Sequence, residues 1–209
     1  MDKFDFVGNG PLLFIGCHPD DVELGCGGLL NRISKKIPIY VVVLSKNQKN
    51  PSNKNLLSEQ KESLKTLGIS TKNTILADFI TREFSYSRQE ICDFLWRVNK
   101  NINPSCVFIP PMDLHQDHQV CHNESLRVFR TKSIIEYEIP RSESNQRSLM
   151  YVKLSKKDLD TKLKALAHYK TYKNKNYYER SSLVSKCQAA GIRLEIPLCE
   201  SFNVISLVV

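Results

Sequence analysis

The chain has no apolar run long enough to cross a bilayer. Its longest, Leu12–Cys17 and Ile39–Leu44 (with Tyr40 inside), fall far short of the ~20 residues a spanning helix needs. The first ten residues carry both charge signs and have no extended apolar centre, so no secretory leader is expected there. No C-x-x-C pair occurs. The seven cysteines (Cys17, Cys26, Cys92, Cys106, Cys121, Cys187 and Cys199) are odd in number and scattered, which argues against a disulfide framework and against a cysteine zinc ribbon. A reducing cytoplasm is the expected compartment. Low-complexity segments, internal repeats and linkers are also missing, so residues 1–209 are expected to form one domain.

What is present is ordinary in bulk: 41% hydrophobic and 25% charged residues. The net charge of +8 at pH 7 fits an anionic partner such as nucleic acid, a membrane surface or a phosphorylated or nucleotide-linked small molecule. It equally fits a basic wet surface. The lysines of 153–175 alternate with apolar residues at helical spacing, which places most of them on the solvent side of a helix. No nucleic-acid motif appears, and aromatics are not interleaved with Lys and Arg as a stacking surface would require.

Hydrophobic patterning predicts strands at Leu12–Cys17, Ile37–Leu44, Thr74–Phe79, Cys106–Ile109, Ile134–Ile139, Met150–Leu154 and within Pro197–Val208. It predicts helices at Val22–Lys35, Leu56–Leu67, Arg88–Lys100, Gln119–Phe129, Lys156–Tyr172 and Ser181–Ala190. Strands alternating with helices indicate an α/β, three-layer Rossmann-like fold with a mainly parallel sheet, followed by a smaller, less regular C-terminal extension. Gly25, Gly27 and Gly28 weaken an isolated helix but permit close packing inside a fold.

Two His/Asp clusters stand out. His18-Pro19-Asp20-Asp21 follows the first strand, and His115-Gln116-Asp117-His118 follows the fourth. Parallel strands bring their carboxyl ends to one edge, where open α/β sheets bind ligands, so the clusters are expected to meet. A catalytic metal typically takes three protein donors and leaves one position open. His18, Asp21 and His118 supply such a set. Pro19 biases His18 toward extended backbone. Of the adjacent carboxylates Asp20 and Asp21, one can bind metal while the other faces water as a general base. His115 is placed to stabilise an oxyanion or protonate a leaving amine, with Asp117 to hold it. Each residue alone has a plainer reading: Asp20, Asp21 or Asp117 as a helix cap, and His122 and His168 as ordinary helical histidines.

At these residues the sequence resembles the LmbE-like, or PIG-L, N-acetylglucosaminyl deacetylase family. The segment from His18 to Gly28 (HPDDVELGCGG) and the segment His115–His118 look like the family's two signatures in the right order. Weaker likenesses lie at Arg88–Ile91, Tyr137–Pro140 and Glu200–Phe202. The resemblance implies a zinc-dependent N-deacetylase with His18, Asp21 and His118 as metal ligands. It makes Asp20 the base, and His115 with Asp117 the acid or oxyanion stabiliser. Iron(II), manganese or cobalt suit the same donors as zinc. Cys17 stands where the family usually has Ala, Val22 where an acid often follows the two Asp, and Thr81-Arg82 where Asp is common.

Arg82, Arg88 and Tyr137 are the candidate substrate contacts. Ser45–Asn55, Thr81–Arg88 and Glu136–Arg147 are the loops expected to hold a sugar, lipid or nucleotide handle. The implied partner is a small N-acylated sugar, with no nucleic acid and no membrane span, and a homo-oligomer is compatible. Two alternatives compete: a same-fold amidase acting on a thiol–sugar conjugate or other acylated amine, and a non-catalytic binding module. A dinucleotide enzyme fits poorly, because two carboxylates stand where a glycine-rich phosphate turn belongs.

Overall fold

The computed structural model describes residues 10–140 and 149–208. Strands β1 (Leu12–Gly16), β2 (Ile39–Val43), β3 (Thr74–Leu76), β4 (Cys106–Ile109), β5 (Ser133–Tyr137), β6 (Met150–Lys153) and β7 (Cys199–Ser206) share one sheet in the order β3-β2-β1-β4-β5-β7-β6. The first five are parallel, while β7 runs antiparallel to both β5 and β6. The C-terminal part therefore adds strands to the same sheet.

The helices are α1 (Asp21–Ile33), α2 (Leu56–Thr66), α3 (Arg88–Ile102), α4 (Gln116–Val128), α5 (Lys156–Leu166) and α6 (Arg180–Gly191). Strand side chains alternate between two cores. Leu12 and Phe14 of β1 and Phe108 of β4 join apolar residues of α1, α2, α5 and α6 on one face. Leu13, Ile15, Val107 and Ile109 join those of α3 and α4 on the other. This makes three layers and explains why the central strands read as continuous apolar runs.

The glycines of α1 do what close packing demands. A Cβ on Gly25 would lie 2.3 Å from the Tyr137 ring, and one on Gly28 would lie 2.6 Å from Leu154. Helix α5 stops at Leu166, short of the expected Tyr172, and the chain continues in 3-10 turns. Tertiary bonds draw it off the helix: the Tyr169 hydroxyl donates to Glu23, and the Thr171 N–H to Glu59. All seven cysteines are buried free thiols.

Connections leave β1 and β4, adjacent strands, toward opposite faces of the sheet. That reversal opens a crevice beyond their carboxyl ends. His18–Asp21 and His115–His118 both lie there.

Candidate active site

Each motif is shaped by its own backbone. His115 occupies the N-cap of α4, and its Nδ1 accepts the Asp117 N–H at 3.2 Å. That bond places the proton of the neutral ring on Nε2. Asp20 precedes α1 with φ 104°, a left-handed conformation, and makes no cap hydrogen bond of its own. Asp21 instead turns back on the strand end, where its Oδ2 accepts the N–H groups of Cys17 and His18, both at 2.9 Å.

The same Asp21 oxygen lies 3.7 Å from His18 Nδ1 and 3.6 Å from His118 Nε2. These separations are too long for hydrogen bonds. They suit donors about 2.0–2.2 Å from a shared tetrahedral ion, which sit roughly 3.3–3.6 Å apart. The far nitrogen of each imidazole is held by a carboxylate. His18 Nε2 donates to Asp117 at 2.9 Å, and His118 Nδ1 to Asp113 at 2.8 Å. Such pairing fixes the tautomer of metal-ligating histidines and raises their basicity. The donor set therefore fits a divalent cation. Among the described residues, atoms that could hold a metal gather in two groups, Cys17–Asp21–His118 and His18–His115–Asp117, each within 4.8 Å, so that His18 falls in a different group from Asp21 and His118. The Cys17 thiol is pushed up in pKa, chiefly by burial, and contacts the Asp117 carbonyl.

Charge follows the geometry. Burial would raise Asp21, but His118 and His18 outweigh it and hold the carboxyl at about 2. Burial would lower His118, but Asp21 and Asp113 carry it to about 10. Asp20 is raised, by burial first and by Asp21 next, against the Tyr178 hydroxyl that donates to it at 2.7 Å. His115 is lowered by burial and by its histidine neighbours.

Several expectations need correction. The Asp117 carboxylate does not hold His115: it bonds His18 and the Arg82 N–H, and only its backbone touches His115. Arg88 lies away from the pocket on α3, ion-paired with Glu124. Tyr137 is fully buried, its hydroxyl donating to the Ile15 carbonyl at 2.7 Å, and so is closed to substrate. Arg82 does line the pocket, at φ 69°. His122 packs in α4 against the Pro110 carbonyl, and His168 lies just past α5 beside Thr66. Of the expected handle loops, residues 141–147 lie outside the described residues. Asp113, Tyr178 and the pocket-lining Tyr172, Lys175 and Tyr177 were not among the residues expected at the site. Asp113 had a signal, a further acid two residues before His115. The others had none beyond a run of Tyr and Lys.

The pocket has a volume of about 500 Å³ and includes His18, Asp20, Asp21, His115 and His118 in its wall. Fold and site together define a Rossmann-like α/β protein whose sheet edge gathers a buried His/Asp cluster. Residues 13–129 match the PIG-L family, GlcNAc-PI de-N-acetylases. The chain is 30% identical over 170 residues to a protein of Escherichia coli (strain K12) described as the uncharacterized deacetylase YaiS, covering 77% of this chain and 90% of that one. The chain belongs to the PIG-L, or LmbE-like, deacetylase family. Its fold matches the N,N'-diacetylchitobiose deacetylase of Pyrococcus horikoshii with a TM-score of 0.80 at 18% identity, over 98% of this chain and 87% of that one. It also matches the zinc-inhibited form of teicoplanin deacetylase Orf2 with a TM-score of 0.77 at 11% identity, over 95% and 98%.

Proposed function

We propose that the protein is a metal-dependent hydrolase that removes an N-acetyl group from an N-acetylglucosamine-type sugar or sugar conjugate. The observation that carries this reading is the placement of His18 and His118 nitrogens around one Asp21 oxygen, with Asp20 beside them. His18, Asp21 and His118 would hold the ion. Zinc is the first expectation, and iron(II), manganese or cobalt would suit the same donors. When bound, the ion supplies Lewis acidity and lowers the pKa of water toward neutrality.

The chain's own groups then divide the work. Asp20 takes the proton of the attacking water, and its raised pKa suits both accepting that proton and returning it. The water oxygen bonds to the amide carbon, and the carbonyl oxygen becomes an oxyanion. The His115 Nε2–H donates a hydrogen bond to it. The C–N bond breaks, the nitrogen takes the proton from Asp20, and acetate and a free amine leave. Asp117 acts through His18, which it orients.

The test is metal content by mass spectrometry combined with amine release from a panel of N-acetylglucosamine compounds, before and after chelation. About one equivalent of metal and chelation-sensitive release are expected, and His118→Ala should lower both. An absence of metal after anaerobic reloading would overturn the proposal.

A further inference from the structure

Beside the proposed metal centre lies a donor that the hydrolysis does not use. Cys17 directly follows β1, and its side chain is fully buried. Its sulfur, a carboxylate oxygen of Asp21 and a ring nitrogen of His118 all lie within 4.8 Å of one another. Asp21 and His118 are also two of the three residues assigned to the catalytic ion, while His18 belongs to the other group. They therefore stand between two different third donors, an imidazole and a thiol.

The plain role of such a thiol is packing, and Cys17 does join Leu13, Ile15 and Cys121 in the core under α3 and α4. Its sulfur nevertheless meets polar groups as well, and it contacts the Asp117 carbonyl at 3.5 Å. An S–H is a weak donor, so that contact is readily given up. The Asp117 side chain is fully buried, and its Oδ1 has no hydrogen-bond partner among the described residues. Asp117 and Asp21 both repel a bare thiolate at Cys17, and a bound cation removes that repulsion. Zinc-like ions hold sulfur at about 2.3 Å and oxygen or nitrogen at about 2.0–2.2 Å, which sets such donors roughly 3.6 Å apart. Rotation of the cysteine side chain and a small shift close the remaining gap of about an ångström. The catalytic pocket is walled by His18, Asp21 and His118 but not by Cys17. An ion drawn to the sulfur thus lies on the core side of Asp21 and His118, away from Asp20 and His115. Thiolate selects soft ions, whereas imidazole and carboxylate serve borderline and hard ones.

Building on the metal-centre reading, we propose that Cys17, Asp21 and His118 form a second cation site that overlaps the catalytic one, takes soft divalent ions such as cadmium, and stops hydrolysis when filled. As the ion binds, the metal–sulfur bond forms and the thiol proton leaves to solvent. Asp21 and His118 are then withdrawn from the set that includes His18.

The experiment uses the full chain, stripped of metal by a chelator and kept reduced with a phosphine. It is titrated with cadmium chloride and separately with manganese chloride. Near-ultraviolet absorbance reports thiolate-to-cadmium charge transfer, and calorimetry reports affinity. Wild type should give a charge-transfer band that saturates at about one cadmium per chain. Cys17→Ala should lose the band, weaken cadmium binding about tenfold or more and leave manganese affinity unchanged. Cys121→Ala, which removes another thiol of the same core, should keep the band. Added to manganese-loaded protein, cadmium should arrest amine release by wild type at concentrations that Cys17→Ala tolerates. Cadmium binding without a thiolate band, a band that survives Cys17→Ala, or equal arrest of both proteins overturns the thiol site and leaves the metal centre standing. Failure of wild type to bind either ion overturns both. A Cys17-dependent band in a chain that releases amine from no probe upholds the thiol site and counts against the deacetylase reading.

Discussion

Asp20 holds a backbone conformation, φ 104°, that costs most side chains about 1–3 kcal/mol. Asp and Asn visit left-handed space more readily than other non-glycine residues. Asp20→Asn is therefore a clean probe: it keeps the backbone, and its amide oxygen can still accept from Tyr178. The proposed ligand atoms of Asp21, His18 and His118 are untouched. We expect metal content to be unchanged and kcat to fall by about 10²–10⁴, the usual worth of a general base. Near-normal turnover would remove Asp20 from that role. The contiguous motifs made Asp20, Asp21, His18 and His118 legible in the sequence. Tyr178 was not, because it lies 158 residues from Asp20 in a segment whose Tyr and Lys content points to no single partner. Assigning Asp117 to His115 failed for a related reason. Proximity in sequence favoured a neighbour, while the fold turned the carboxylate to a histidine 99 residues away.

Helix α1 starts at Asp21, directly after the proposed base Asp20, and is buried along nearly all its length, Asn31 and Arg32 excepted. A buried ion pair grips its middle. The Lys162 ammonium donates to the Leu24 carbonyl at 2.7 Å and to Glu200 at 2.6 Å. Glu200 in turn accepts the N–H groups of Gly28 and Leu29, both at 2.8 Å. Removing one partner strands the other charge, so Glu200→Ala should cost about 3–5 kcal/mol. Replacing both, as Lys162→Met with Glu200→Leu, should cost less, because no buried charge remains. Urea unfolding of the two variants checks this. A double variant as weak as the single one would mean that packing, and not charge, sets the loss. Elements themselves were largely readable, since apolar period and turn residues are local signals. The end of α5 was not. The pattern ran on to Tyr172, but Glu23 and Glu59, on other helices, take the chain out of the helix after Leu166.

Across the whole molecule, the strand order β3-β2-β1-β4-β5-β7-β6 is what unites the two motifs, and no periodicity encodes it. Parallel pairing of β1 with β4 was inferred only from the general behaviour of α/β sheets. The antiparallel entry of β7 beside β5 had no sequence signal, since a strand reads alike in either direction. That central packing also traps Glu136, on β5 and 2% exposed. Burial pushes its pKa up to about 8, with only a partial offset from the Met112 N–H. His122, 3.4 Å away, is lowered by burial, so the two meet near neutrality as uncharged groups. The sign of the stability effect follows from proton counting. Between the unfolded value of about 4.3 and the folded value, the native state holds the extra proton, and each pH unit removes about 1.4 kcal/mol per such group. The contribution is complete below about pH 4 and is lost as pH rises through about 8, a few kcal/mol in all. Glu136→Gln keeps the shape and removes the titration. Wild type should therefore lose thermal stability between pH 6 and pH 8.5 faster than the variant, and the variant should be the more stable protein at the alkaline end. Melting curves across that range decide it: parallel losses would mean that Glu136 is already ionised in the folded chain, with its charge met by a partner.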